Sequence, residues 1–89
     1  MTSRSEGPMT LAEMRTGQTG TVVEILGGHG FVRRLETLGI RPGKRLTKVS
    51  STLFHGPVTF KVDKAQVAVG FGVARGIIVQ VDRYLPPGP

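Results

Sequence analysis

Glycine and proline occur so often along this sequence that long helices and long strands are excluded. The 89 residues include 13 glycines and 6 prolines. Glycine accepts positive backbone φ angles and proline fixes φ, so both residue types mark turns rather than the interiors of helices and strands. The sequence therefore predicts many short elements joined by turns, which favours a β-rich fold.

The size of the chain limits it to one small domain. A chain of this length buries only about 60–65% of its unfolded surface, so its core is modest. The sequence has no cysteine, which excludes disulfides, thiolate nucleophiles and cysteine-type zinc sites. Packing must therefore hold the fold together, with self-association as one added source of stability. We expect a flexible lead over residues 1–8, one domain over residues 9–83 and a proline-rich tail over residues 84–89.

Runs of β-branched and apolar residues predict five short strands. The run from Val58 to Val62 alternates apolar with polar residues, as a half-buried strand does. In the run that begins at Arg45, Leu46 and Val49 differ in parity, so we expect a bulge there. The predicted strands are Thr21–Leu26, Arg45–Leu53, Val58–Val62, Ala65–Val69 and Ile77–Val81.

Two helical segments accompany these strands. Thr10 followed by Glu13 matches a capping box and predicts a short N-terminal helix. A longer helix follows the glycine-rich segment 27–30, and its apolar stripe consists of Phe31, Val32, Leu35 and Leu38. One helix inserted after the first of about five strands predicts a mainly β, small and partly open barrel.

A defined turn should end the longer helix. Gly39 fits the left-handed position just past the helix, and Ile40 is then placed to contact Leu35 in a Schellman motif. The next four residues, Arg41 to Lys44, match a type II turn in which Pro42 fixes φ and Gly43 takes a positive φ.

The charge balance favours an acidic partner. Twelve lysines and arginines stand against six acidic residues, which gives a net charge of +6. Such a charge suits an acidic protein, nucleic acid or an anionic membrane face. The candidate docking face is the cluster that the predicted helix and turn present: Arg33, Arg34, Arg41 and Lys44. The alternative interpretation is a set of solvated basic residues without a partner.

A nucleic-acid interface has the charge but lacks the aromatic residues. Binding of single strands depends on exposed aromatic side chains that stack on bases. The sequence has only four phenylalanines and one tyrosine, and we expect Phe31 and Phe60 in the core. A small basic barrel that binds nucleic acid therefore remains the alternative function.

The sequence offers no catalytic constellation. Glu24 and Asp82 are the acidic residues within strong strand segments, and no Ser–His–acid set accompanies them. The glycine-rich segment 27–30 is not a dinucleotide fingerprint, because Arg33 stands where the third glycine belongs. We therefore expect no enzymatic activity.

Metal binding rests on two histidines. His29 and His55 are the only histidines in the sequence, and neither has a second ligand at metal-binding spacing. We interpret both as solvated loop residues, so that no cofactor is required. The alternative is a divalent metal, iron or zinc, that bridges two chains. The strand edges of a partly open barrel also support an expectation of self-association.

The sequence predicts a cytoplasmic protein. No apolar stretch approaches the roughly 18–20 residues that span a bilayer. Residues 1–8 contain no apolar segment of the kind found in signal peptides.

The helix and turn carry a resemblance to a known family. The pattern Arg34-Leu35-x-x-Leu38-Gly39-Ile40-x-Pro42-Gly43 resembles the signature of the ferrous-iron transport protein A (FeoA) family. The order of the other elements agrees, and the resemblance covers about residues 9–82. It carries over Arg34, Leu38, Gly39, Pro42 and Gly43, mainly as framework residues.

The resemblance implies an SH3-like β-barrel that acts in the cytoplasm. Its role would be that of an accessory to the membrane ferrous-iron permease that carries a G-protein domain. The same module is similar to the C-terminal domain of iron-dependent repressors, but no DNA-binding helix pair precedes it here. SH3-like barrels bind peptides or protein faces rather than perform chemistry. We therefore expect the permease as the partner and no nucleic acid.

Overall fold

A computed structural model describes residues 7–51 and 56–82. This part of the chain contains six strands, a 3₁₀ turn and two helices. In chain order they are β1 (Pro8–Thr10), the 3₁₀ turn (Leu11–Glu13), β2 (Thr19–Ile25), α1 (His29–Thr37), β3 (Arg45–Ser51), β4 (Val58–Val62), β5 (Ala65–Val69), α2 (Phe71–Ala74) and β6 (Ile77–Val81). The expected mainly β architecture with one helix after the first long strand is confirmed.

The six strands form one antiparallel sheet in the order β1-β6-β2-β3-β4-β5. Register shifts occur in β2 between Val22 and Glu24, and in β3 between Lys48 and Ser50. The second shift is the bulge that the parity of Leu46 and Val49 predicts. Because bulges increase local twist and bend a strand, these two shifts help the sheet curl around a single core.

The first strand differs from the prediction. Strand β1 begins at Pro8, inside the segment expected to be a flexible lead, and pairs with β6 from Gln80 to Ile78. The sequence analysis missed it because three residues that start with proline show no alternation to detect. The structure therefore has six strands where about five were expected. The predicted tail at 84–89 lies outside the described residues.

The core forms between the inner face of the sheet and the elements that cover it. Strand β4 shows the predicted alternation, with Val58, Phe60 and Val62 all buried. The buried apolar residues are Leu11, Met14, Val22, Leu35, Ile40, Leu46, Val58, Phe60, Val62, Val69, Ala74, Ile77, Val79 and Val81. Phe31 is partly buried and packs against this cluster. Neither helix in the described residues is long and apolar enough to cross a membrane.

The capping box at the N-terminus is confirmed, although the turn it starts is short. The Glu13 N–H donates to the Thr10 hydroxyl at 3.2 Å, and the Thr10 N–H donates to the Glu13 carboxylate at 2.9 Å. The result is a three-residue 3₁₀ turn rather than an α-helix. It places Leu11 and Met14 over the core.

The turn after α1 has the predicted Schellman geometry. Gly39 has φ of 89°, its N–H donates to the Glu36 carbonyl at 2.9 Å, and the Ile40 N–H donates to the Leu35 carbonyl at 3.0 Å. The type II turn is also confirmed, because Gly43 has φ of 96° and the Lys44 N–H donates to the Arg41 carbonyl at 3.1 Å.

Leu38 was predicted to belong to the buried apolar stripe of the helix, and this prediction is wrong. Its side chain is 48% exposed, whereas Ile40 is fully buried. Helix α1 ends at Thr37, and Leu38 is the residue that caps it. The left-handed residue Gly39 then reverses the chain, so that Ile40 rather than Leu38 packs onto Leu35.

We predict that Gly39→Ala destabilises the protein, because an L-residue at φ of 89° costs about 1–2 kcal/mol. The matched control is Gly30→Ala inside α1, where a Cβ would meet open space and helix propensity favours alanine. Urea unfolding of both variants measures the difference. Equal stabilities of the two variants would contradict the assignment of the turn.

Candidate functional site

Three exposed arginines mark the surface of α1 and the turn that follows it. Arg33 and Arg34 lie on the exposed side of the helix, and Arg41 is exposed after the Schellman turn. None of the three forms an ion pair within the described residues. We call Arg33, Arg34 and Arg41 the arginine face. Its charges are therefore available to an incoming anionic partner.

Lys44, the fourth residue of the predicted docking face, is engaged elsewhere. Its ammonium donates to the Asp63 carboxylate at 2.7 Å. Asp63 has φ of 56° and occupies the tight turn between β4 and β5. The ion pair connects the turn after α1 to that hairpin and locally neutralises Lys44.

A second ion pair engages Arg45, another exposed cation. The Arg45 guanidinium, on β3, binds the Asp82 carboxylate just beyond β6, and it also donates to the Thr21 hydroxyl at 3.2 Å. The hydrogen bond to Asp82 raises the pKa of Arg45 above its usual value. Asp82, one of two acidic residues considered for catalysis, is thus an ion-pair partner on the sheet.

One exposed apolar side chain, Leu38, lies beside the arginine face. The large exposed hydrophobic residues of the described chain are Val23, Leu26 and Leu38, each about half exposed. Val23 lies in β2, Leu26 directly follows β2, and Leu38 caps the C-terminus of α1. Leu38 follows Arg34 by four residues, so the two share one side of the helix. A partner that meets this side encounters a cation and an apolar surface together.

The described residues form no metal site around His29, one of the two histidines considered as metal ligands. His29 is the exposed first residue of α1, and Glu24 and Glu36 are also exposed. Over residues 7–51 and 56–82, no three histidine or carboxylate side chains come together in a way that holds a metal. His55 lies outside the described residues. A metal held by His29 between two chains stays a prediction.

Lys48 is the residue that the sequence analysis missed. Its side chain is 2% exposed on the core side of β3, two residues after the buried Leu46. Its position before the bulge, with the parity of Leu46, is the signal that could have identified it. A lysine at a core position requires an internal partner.

The partner of Lys48 is the end of the 3₁₀ turn. Its ammonium donates to the carbonyls of Leu11 at 3.2 Å, Ala12 at 3.1 Å and Met14 at 2.7 Å. All three ammonium donors are therefore satisfied by backbone rather than by a carboxylate. Burial lowers the pKa of Lys48 below its usual value. The role of Lys48 is structural, because it fixes the turn that covers the core.

We predict that Lys48→Met destabilises the protein by about 2–4 kcal/mol, because it leaves buried carbonyls without donors. The control is Lys61→Met, an exposed lysine on β4, with an expected change below about 0.5 kcal/mol. Chemical denaturation of both variants tests this. A Lys48→Met protein as stable as the wild type would show that the ammonium is dispensable for the turn.

Comparison with solved structures confirms the SH3-like class of the barrel. The chain aligns with the zinc-complexed FeoA of Stenotrophomonas maltophilia, described as a procaryotic SH3 domain protein, with a TM-score of 0.71. That alignment covers 84% of this chain and 96% of the other at 23% identity, so it carries the fold alone. The mainly β barrel described above is thus an SH3-like fold.

The family follows from closer matches. The FeoA domain family model matches residues 9–81. A protein of Methanocaldococcus jannaschii named "Putative Fe(2+) transport protein A" is 31% identical over 74 residues, which cover 83% of this chain and 88% of that protein. A crystal structure of an iron uptake regulatory protein (FeoA) has a TM-score of 0.78 and 34% identity, covering 83% of this chain and 97% of the other. The chain belongs to the FeoA family.

Proposed function

We propose that this protein is a cytoplasmic accessory protein of ferrous-iron uptake. It acts by binding the cytoplasmic part of the membrane ferrous-iron permease that carries a G-protein domain, and it performs no chemistry of its own. Family membership supports the role in iron transport, since the matched relatives are named for iron transport or uptake.

The observation that carries the binding mode is the arginine face. Arg33, Arg34 and Arg41 are exposed and form no ion pair with any residue that the structure describes, whereas the neighbouring cations Lys44 and Arg45 are bound to carboxylates. Free cations on one helix and its turn steer an acidic partner and raise the association rate, while paired ones contribute little. The half-exposed Leu38 beside Arg34 supplies apolar area to the same contact. An acidic protein surface with an apolar centre is the matching partner.

The aromatic residues favour a protein partner over nucleic acid. Phe60 is fully buried, and Phe31 and Phe71 are partly buried. Among the residues that the structure describes, no phenylalanine is therefore exposed in the way that base stacking requires. Charge alone supports the nucleic-acid alternative, and charge alone gives salt-sensitive, non-specific binding.

We predict that Arg33→Glu with Arg34→Glu weakens binding to the permease's purified cytoplasmic part about ten-fold or more at low salt. The loss should shrink as salt screens the contact. The melting temperature should stay near that of the wild type, because exposed charges contribute little to stability. Calorimetric titration at two salt concentrations measures both effects.

The matched control is Arg15→Glu with Lys61→Glu. Both residues are exposed and lie outside α1 and its turn, and the pair changes the net charge by the same amount. It should bind the permease fragment nearly as the wild type does. Equal losses in the two double variants would show that net charge, not the arginine face, controls binding. Tight binding of the wild type to arbitrary oligonucleotides in physiological salt, without binding to the permease, would support the nucleic-acid alternative.

A further inference from the structure

Strand β5 is an unprotected edge of the sheet. It pairs with β4 in an unbroken register from Val58 opposite Val69 to Val62 opposite Ala65, and within the described residues its other side pairs with no strand. Its sequence, Ala65-Gln66-Val67-Ala68-Val69, contains no charge and no proline, and it has no bulge. Gln66 and Ala68 are exposed on one face of this strand. The backbone groups on this side are a template for strand pairing.

The opposite edge of the sheet is protected. Strand β1 is only three residues long and begins at Pro8, which has no N–H to donate. At its other end, the Thr10 N–H is already bound by the Glu13 carboxylate. Short length and proline are devices by which proteins prevent edge-to-edge pairing. The same chain thus blocks one edge and leaves the other open.

We propose that two copies of the protein pair through β5, antiparallel and two-fold symmetric about Val67. In this register Val67 faces Val67, Gln66 faces Ala68 and Ala65 faces Val69 of the second copy. Every pair is apolar or neutral, so no buried charge results. A two-fold contact uses the same surface on both partners, and an uncharged strand that matches its own reverse meets that condition.

The cation nearest to β5 along the chain does not oppose this pairing. Lys64 is the nearest cation along the chain, and in the paired register it faces Gly70 of the second copy. The two copies of Lys64 then lie six residues apart along the strands, about 20 Å at the rise of an extended chain. That distance exceeds the screening length of about 8 Å at physiological salt. The pairing uses no residue of the arginine face, so it is independent of the proposed function.

The test is sedimentation equilibrium of the full chain over a concentration series that reaches about 1 mM, since a single strand pair is a small and weak interface. The wild type should rise from the monomer mass of 9.5 kDa toward twice that mass. The variant Gln66→Glu with Ala68→Glu places like charges opposite each other twice in the proposed register. We expect it to raise the dimer dissociation constant about ten-fold or more.

A charge-complementary variant tests the register. Gln66→Glu with Ala68→Lys differs from the like-charge variant only at position 68, and it places opposite charges in both cross-copy pairs. It should restore association at least to the wild-type level. Thr16→Glu with Ser50→Glu, two exposed residues away from β5, gives the same net charge as the like-charge variant and should dimerise as the wild type does. A wild type that stays at 9.5 kDa throughout, or a like-charge variant that associates unchanged, would overturn the proposal.

Discussion

The contact between the Lys48 ammonium and three backbone carbonyls holds the N-terminal 3₁₀ turn against the sheet. A three-residue 3₁₀ turn makes few hydrogen bonds of its own and leaves carbonyls without partners at its end. Lys48 reaches from β3 and donates to the carbonyls of Ala12 and Met14, and also to that of Leu11, which in addition accepts from the Met14 N–H at 3.3 Å. The turn then places Leu11 and Met14 over the core and connects directly to β1. A buried cation without a carboxylate is tolerable only while all three carbonyls remain in place.

Two sets of surface cations differ in whether they have a carboxylate partner. Lys44 and Arg45 are adjacent in sequence, and each finds a carboxylate supplied by a different element, Asp63 or Asp82. These pairs tie the turn after α1 to the β4–β5 hairpin and β3 to the end of β6. Within residues 7–51 and 56–82, the arginine face has no such carboxylate partner. The barrel therefore uses some of its basic residues as structural links and presents others on one helix and turn, which is the arrangement that a binding module needs.

Local chemistry made much of this fold predictable. Left-handed glycines, the capping box and the alternation of Val58, Phe60 and Val62 act within a few residues, so the sequence displays them directly. The bulge near Val49 was predictable for the same reason, because the change in parity is visible in one strand. The family pattern at residues 34–43 added the SH3-like class, which periodicity alone does not distinguish from other small barrels.

What was missed depends on contacts between distant segments. Lys48 and the 3₁₀ turn are separated by more than thirty residues, so the carbonyls that allow this lysine to be buried lie outside its local sequence. The pairing of Lys44 with Asp63 likewise appears only once the hairpin is folded. Leu38 fits the helical period of the apolar stripe, but its side chain is exposed. Ile40 is buried instead, because the chain reverses direction at Gly39. Strand β1 exists only because β6 is there to pair with it.

The proposed function depends on binding of the partner through the arginine face of this FeoA-family barrel. The most direct measurement is a titration of the isotope-labelled protein with the permease's cytoplasmic part, followed by backbone amide NMR shifts. We predict shift changes concentrated at residues 33–41, with little change on the sheet positions around Thr47 and Lys61. Shift changes centred on the sheet face, or no shift changes with the permease fragment present in excess, would contradict binding through the arginine face.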